Sequence, residues 1–237
     1  MTPSLSAFLS IFLLFDAAAL IFLIGYLLHR RHLRGKIRHF GDRAEEQVKN
    51  TILEEFPRSV LLNNVFFKTD TGTTQIDHIL LCKWGVFVIE TKSHNGQIRT
   101  GEKEWIQIYS DKIVRFHSPL LQNEIHRKAV CKALQKSRAT RNIPVKGVVV
   151  FTSKKVYFDR LHPGVLRLEE LGPWIKNGGE KPLRGVAITA KRGQRYLSEK
   201  TIQQIEKCLR KNSVRSLKSK KRHEKTVRQF DRNGYFA

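Results

Sequence analysis

Apolar residues fill the chain from Leu5 to Leu28 (LSAFLSIFLLFDAAALIFLIGYLL), with Asp16 as the one charge among them. Roughly 20 apolar residues suffice to cross a hydrocarbon core as a helix, so this run predicts a transmembrane segment. A central aspartate costs about 2.5–3.5 kcal/mol on insertion scales, which the surrounding Leu, Ile and Phe residues offset. No Lys or Arg precedes the run, and His29-Arg30-Arg31-His32 follow it directly. Positive charge collects on the cytoplasmic side of a membrane. The expected arrangement is a single-pass anchor with the N-terminus outside and everything after Arg30 in the cytoplasm. A cleaved signal peptide would carry its basic residues first.

Beyond a basic link, about residues 29–40, the period changes. Ala44, Val48, Ile52 and Phe56 recur every four residues, with Leu53 beside them, which predicts an amphipathic helix over 41–56 that Pro57 ends. Strands are expected at 60–67, 75–82 and 86–91, with turns around Gly72 and at Lys83-Trp84-Gly85. Residues 105–109 and 113–116 alternate as a hairpin across Ser110-Asp111. Pro119 opens a long helix through about Thr140, with Leu121, Ile125, Ala129, Lys132 and Ala133 near one face. Residues 145–151 read as a buried strand, 165–168 as a short one, 169–176 as a short helix, and 198–210 as a final helix capped by Ser198. A strand, helix, strand order implies an α/β sheet with helices packed on it.

Composition narrows the partners. The chain has 237 residues, 41% of them hydrophobic, enough for one domain with its own core. Lys and Arg number 44 against 21 Asp and Glu, a formal net charge of +23. Such an excess suits nucleic acid or an anionic lipid surface. From Lys207 onward cations dominate and apolar residues thin out, which predicts a basic tail able to contact any polyanion. Cys82, Cys131 and Cys208 are far apart and odd in number, so neither a zinc knuckle nor a disulfide framework is indicated, in keeping with a reducing compartment.

Three polar residues sit where the pattern calls for buried strand. Asp77 falls between Ile76 and Ile79, Glu90 ends the run Val86-Phe87-Val88-Ile89, and Lys92 follows two positions later. Residues two apart in a strand share a face, so Glu90 and Lys92 project together. If the Asp77 strand pairs beside them through the Lys83-Trp84-Gly85 turn, two carboxylates and a lysine converge at one end of the sheet. Buried carboxylates need partners, and Mg²⁺ takes one or two of them together with waters and phosphate oxygens.

The stretch GTTQIDHILLCKWGVFVIETK resembles the nuclease-related (NERD) domain of the PD-(D/E)xK nuclease superfamily. The resemblance runs from about Gly41 to Phe151 and takes in Pro119, Gln122 and His126. It implies a restriction-endonuclease-like fold, a central mixed sheet flanked by helices, and a nuclease that uses Mg²⁺ or Mn²⁺. By that resemblance Asp77 and Glu90 bind the metal and Lys92 is the catalytic lysine. Glu45, in the first helix, completes the acidic cluster. Gln122 contacts the substrate or orients the site. The chain departs from the usual form at Gly41-Asp42-Arg43-Ala44, where a second glycine commonly precedes the glutamate, and Glu46 competes with Glu45.

The whole then reads as an anchor with its basic link (residues 1–35), a nuclease-related α/β domain (36–176), and a C-terminal helix with a basic tail (177–237). The expected activity is hydrolysis of nucleic-acid phosphodiester bonds, with DNA favoured over RNA. The alternative is a membrane-tethered, non-catalytic nucleic-acid-binding module of the same fold. His78 points away from Asp77 and His94 falls in a loop, so both read as neighbours rather than ligands. His126 lies one helical turn after Gln122 and shares its face. Trp84 and Trp105 read as turn or core residues, and Lys83 and Arg99 as solvated cations within reach of phosphate.

Overall fold

The computed structural model describes residues 5–110, 112–160, 162–180 and 196–214, and the side chains of all of these except 5–18 and 33–38. Contacts divide the chain into two units, residues 1–43 and 44–237. Helix α1 (Leu5–Glu55) contributes to both. In the first unit, residues 29–40 are helical where a link was expected. Among the described residues no helix is long and apolar enough to cross a membrane. Most of the run expected to do so, Asp16 included, has side chains outside the described residues, and so does the basic tail over 215–237.

The second unit starts with the last turns of α1. Ala44, Val48, Ile52 and Phe56 are buried, as their spacing predicts. Leu53 is 43% exposed, because one residue turns a helix by about 100°. The chain then builds β1 (Val60–Thr69), β2 (Gly72–Cys82), β3 (Gly85–Lys92), β4 (Gly96–Arg99), β5 (Glu104–Tyr109) and β6 (Lys112–His117). Helix α2 (Pro119–Leu134) follows, then β7 (Val145–Phe151), β8 (Val156–Phe158) and β9 (Val165–Arg167). A 3-10 turn (Leu168–Glu170), α3 (Leu171–Lys176) and α4 (Glu199–Asn212) complete the described residues.

These strands form a mixed α/β structure with two sheets. The larger has the order β1-β2-β3-β7-β9, the smaller β6-β5-β4-β8. In the larger sheet β1, β2 and β3 are antiparallel neighbours, while β3, β7 and β9 run parallel. One face, with Ile79, Leu81, Val86 and Val88, packs on Ala129, Val130 and Ala133 of α2 and on Ile205 and Leu209 of α4. The other, with Leu80, Phe87, Ile89 and Val148, packs on Val48 and Ile52 of α1 and Trp174 of α3. The smaller sheet seats Ile98, Trp105 and Val156 against Val149 and Phe151. Gly96 adopts φ 75° where β4 meets β5, and a Cβ there would collide with the Ile108 carbonyl.

Two features of α2 differ from expectation. It ends at Leu134, not near Thr140, because the buried Thr140 folds back and donates its hydroxyl to the Leu134 carbonyl at 2.7 Å. Its buried face is also turned. Leu121 and Ile125 are about half exposed, and Asn123 and His126 point inward with Ala129 and Val130. Cys82 and Cys208 are buried, and Cys131 is partly so. Helix α4 starts on Ser198, whose hydroxyl accepts from the Thr201 N–H at 3.2 Å. Past α4, the Val214 N–H donates to the Phe66 carbonyl of β1 at 2.8 Å.

Because Ile205 is fully buried between α4 and the sheet, Ile205→Ala is expected to cost about 2–5 kcal/mol. The urea midpoint of the purified chain reads this; an unmoved midpoint would show that α4 lies outside the core.

Candidate active site

Strands β2 and β3 leave the two-residue turn Lys83-Trp84 and pair from Cys82↔Gly85 as far as His78↔Ile89. There the ladder stops. The next N–H, that of Thr91, donates to the Asp77 carboxylate instead, at 2.9 Å. On its other side β3 stays paired with β7, through Glu90↔Val149, Thr91↔Val150 and Lys92↔Phe151. So β3 is held straight while β2 leaves it, and the opening is where the polar side chains gather. A break in alternation marks the place. Ile76 and Ile79, three apart, join the same core cluster, as do Val65 and Leu62 across from them. Asn64, which like Asp77 is skipped between the Asn63↔His78 and Val65↔Ile76 pairs, has φ 54°, a left-handed conformation that Asn tolerates better than most residues. Its side chain accepts from Gln75 Nε2 at 2.7 Å.

Glu90 and Lys92 share the α2 side of β3, and Lys92 Nζ lies 2.7 Å from Glu90 Oε1. Gln122 comes down from the first turns of α2 and accepts from the same Nζ at 3.0 Å. One helical turn on, His126 Nε2 stands 3.0 Å from Glu90 Oε2, and its Nδ1 stands 2.7 Å from the hydroxyl of Thr74 on β2. Asn123, between them, donates to the Val88 carbonyl at 3.4 Å. The helix can approach this closely because β7 carries glycine beneath it: a Cβ on Gly147 would lie 3.1 Å from Asn123 Nδ2.

Burial divides the carboxylates. It pushes the Asp77 carboxyl well above its usual range, and the neighbouring Glu90 and Glu45 carboxylates add to this; the Thr91 N–H and Lys92 offset only part. Burial works against an ionised Glu90 too, but Lys92 and His126 outweigh it and hold that carboxyl at about 2. Burial likewise opposes the charge on Lys92, yet Glu90 first, then Asp77 and Glu45, raise its pKa. Asp77, Glu90, Lys92 and Gln122 are thus brought together. Glu45 is half-buried and close enough to act on Asp77 and Lys92, whereas Glu46 is exposed and paired with Lys49 at 2.9 Å.

His78 is buried, neutral with its pKa pushed to about 4 by burial, and bonded through Nδ1 to Asn63 at 2.8 Å. His94 stacks on Phe116 with ring centroids 4.2 Å apart. Neither faces the cluster as a ligand. Trp105 is core, and Trp84 packs edge-on to Phe56 with Lys83 over its ring. Thr74 carried no signal in the sequence, since a threonine in a strand is ordinary.

Residues 40–152 match the model of the nuclease-related domain. This stretch is a NERD domain. Such domains are assigned to the PD-(D/E)xK superfamily. The chain is also similar to an uncharacterized protein of Bacillus anthracis, 42% identical over 94 residues, which make up 38% of this chain and 44% of that protein. It therefore spans less than half the length of that relative. No solved structure matches it.

Among the described residues of the NERD domain, no three His, Cys, Asp or Glu side chains converge tightly enough to hold a metal ion between them. The donor chemistry still fits a hard divalent cation. Asp77 and Glu90 supply carboxylate oxygens, and Mg²⁺ asks for only one or two of these beside waters and phosphate. Asp77, raised by burial and by two other carboxylates, is the group that a nearby cation would relieve.

In metal-free protein the two carboxylates should act on stability with opposite signs. A raised folded pKa means that Asp77 costs stability as pH climbs above its ordinary 3.8. Asp77→Asn is therefore expected to gain on the wild type toward neutral pH and to match it below 3.8. Glu90 contributes stability fully above its ordinary 4.5, lost as pH falls through about 2, so Glu90→Gln should fall behind the wild type above 4.5. Urea unfolding in EDTA across that range reads both; shifts of the same sign would contradict the assignment.

Proposed function

We propose that this chain is a metal-dependent nuclease that hydrolyses phosphodiester bonds of nucleic acid, held at a membrane by residues 5–28. The observation that carries the activity is the Lys92 ammonium, fixed between Glu90 and Gln122 at 2.7 and 3.0 Å beside Asp77. The NERD assignment supports the reaction class, and the net charge of +23 supports a polyanionic substrate. DNA is placed ahead of RNA on the superfamily resemblance.

Mg²⁺ or Mn²⁺, held by Asp77 and Glu90, would supply a polarised phosphate and a water acidified toward neutrality. The remaining work falls to the chain. Lys92, its Nζ held 2.7 Å from Glu90, is placed to stabilise charge on the phosphate. Gln122 holds its Nζ from the helix side. Water forms the new P–O bond, a P–O bond of the backbone breaks, and the leaving oxygen takes a proton.

The anchor rests on the apolar run and the cations after it. In addition, Leu20 to Ile24 and Tyr26 to Leu28 are exposed around a helix, Phe22 by 78%. Large exposed apolar patches mark binding or membrane surfaces. The cations at Arg30 and Arg31 support a cytoplasmic side for the NERD domain, where the basic segments could also meet anionic lipid. A second reading is a non-catalytic nucleic-acid binder. It draws on Glu90, both of whose oxygens are already engaged, by Lys92 and His126.

The full chain in detergent is expected to cleave DNA only with Mg²⁺ or Mn²⁺. Asp77→Ala and Lys92→Ala should each lower the rate by about 10²–10³, the usual cost of losing one preorganised charge-stabilising group. Unchanged rates in both variants would refute the site, and salt-sensitive binding without cleavage of any DNA or RNA would favour the binder.

The full chain should also float with phospholipid vesicles through an alkaline carbonate wash. Complete release into the wash would refute the anchor.

A further inference from the structure

We infer that His126 and Thr74 are positioning residues that fix the Glu90 carboxylate for metal binding, an inference that rests on the nuclease reading above. An ionised carboxylate only accepts hydrogen bonds, so at 3.0 Å the proton must sit on His126 Nε2. The Thr74 hydroxyl lies 2.7 Å from Nδ1 and, able both to donate and to accept, bonds the ring there in either protonation state. Thr74 thereby holds the ring with Nε2 toward Glu90.

The two donors on Glu90 differ in kind. Lys92 reaches Oε1 on a flexible stem and is the group that must face the phosphate. The His126 ring is 3% exposed, bonded at both nitrogens and carried on the buried face of α2. It holds Oε2 whether or not Lys92 is engaged elsewhere. Its partners come from two different elements, β2 and β3, so it also ties together the strands where their ladder has opened. Hydrogen-bonded partners of ligating groups tune metal affinity, and losing one typically costs about 10–100-fold.

The test uses the full chain in detergent, with Mn²⁺ affinity by titration calorimetry, kcat and KM on DNA, and melting in EDTA. His126→Leu is expected to lose about 10–100-fold in Mn²⁺ affinity and to lose kcat with KM for DNA little changed. His126→Gln, whose amide N–H falls near the place of Nε2, should recover most of both. Thr74→Val should shift affinity in the same direction by less, and Thr74→Ser should restore it. If His126 were only a core residue, His126→Leu and His126→Gln would lower melting with Mn²⁺ affinity unchanged, which overturns the inference and leaves the nuclease reading intact. A wild-type chain that neither binds Mn²⁺ nor cleaves would overturn both. Should His126→Leu fail to fold, wild-type Mn²⁺ affinity in the near-isosteric Thr74→Val overturns the inference by itself.

Discussion

Glu90 places a carboxylate in the middle of a sheet with 2% of its surface exposed. A charge so buried must be paired on every side, and removing one partner of such a pair costs about 3–5 kcal/mol. Much of the domain answers to that demand. Strand β7 runs beside β3 and keeps it extended, so that Glu90 and Lys92 present the same face. Helix α2 crosses that face with Gln122 and His126 turned inward, over a glycine that lets it approach. Strand β2 supplies the hydroxyl behind His126 and the second carboxylate.

The same demand explains what was legible in the sequence. Period two alone put Glu90 and Lys92 together, because β3 is regular from end to end. Four-residue spacing found the packing face of α1, and the capping serine of α4 was plain. The face of α2 was not. Counting apolar residues favoured Leu121 and Ile125, yet both are half exposed. Full burial of such a side chain is worth about 1.5–3 kcal/mol, and half exposure forfeits only part of it. Pairing the buried carboxylate outweighs that, so the helix turns its polar side to the sheet.

Other features lay beyond any pattern. The phase of β2 changes next to Asp77 because one residue of the partner strand, Asn64, takes a left-handed conformation. Hydrophobic periodicity carries no trace of a single backbone angle. Strand β8 has three residues and owes its existence to β4 alongside it. Thr74 gains its meaning only from a ring 52 positions away in the chain. Each of these depends on a neighbour brought close by folding.

The way α4 hands the chain on has a consequence for how copies of this protein meet. An open sheet ends in unpaired backbone, which invites another strand to add. Here Val214 covers part of β1 by bonding to Phe66, and β8 and β9 are three residues each. The remaining edge, β6, shows Lys112 and Arg115 to solvent. Strand β1, ten residues long, is the longest of these edges, and the Val214 bond covers one position of it. Short edges, edge cations and the Val214 bond each lower the tendency of one open sheet to add to another.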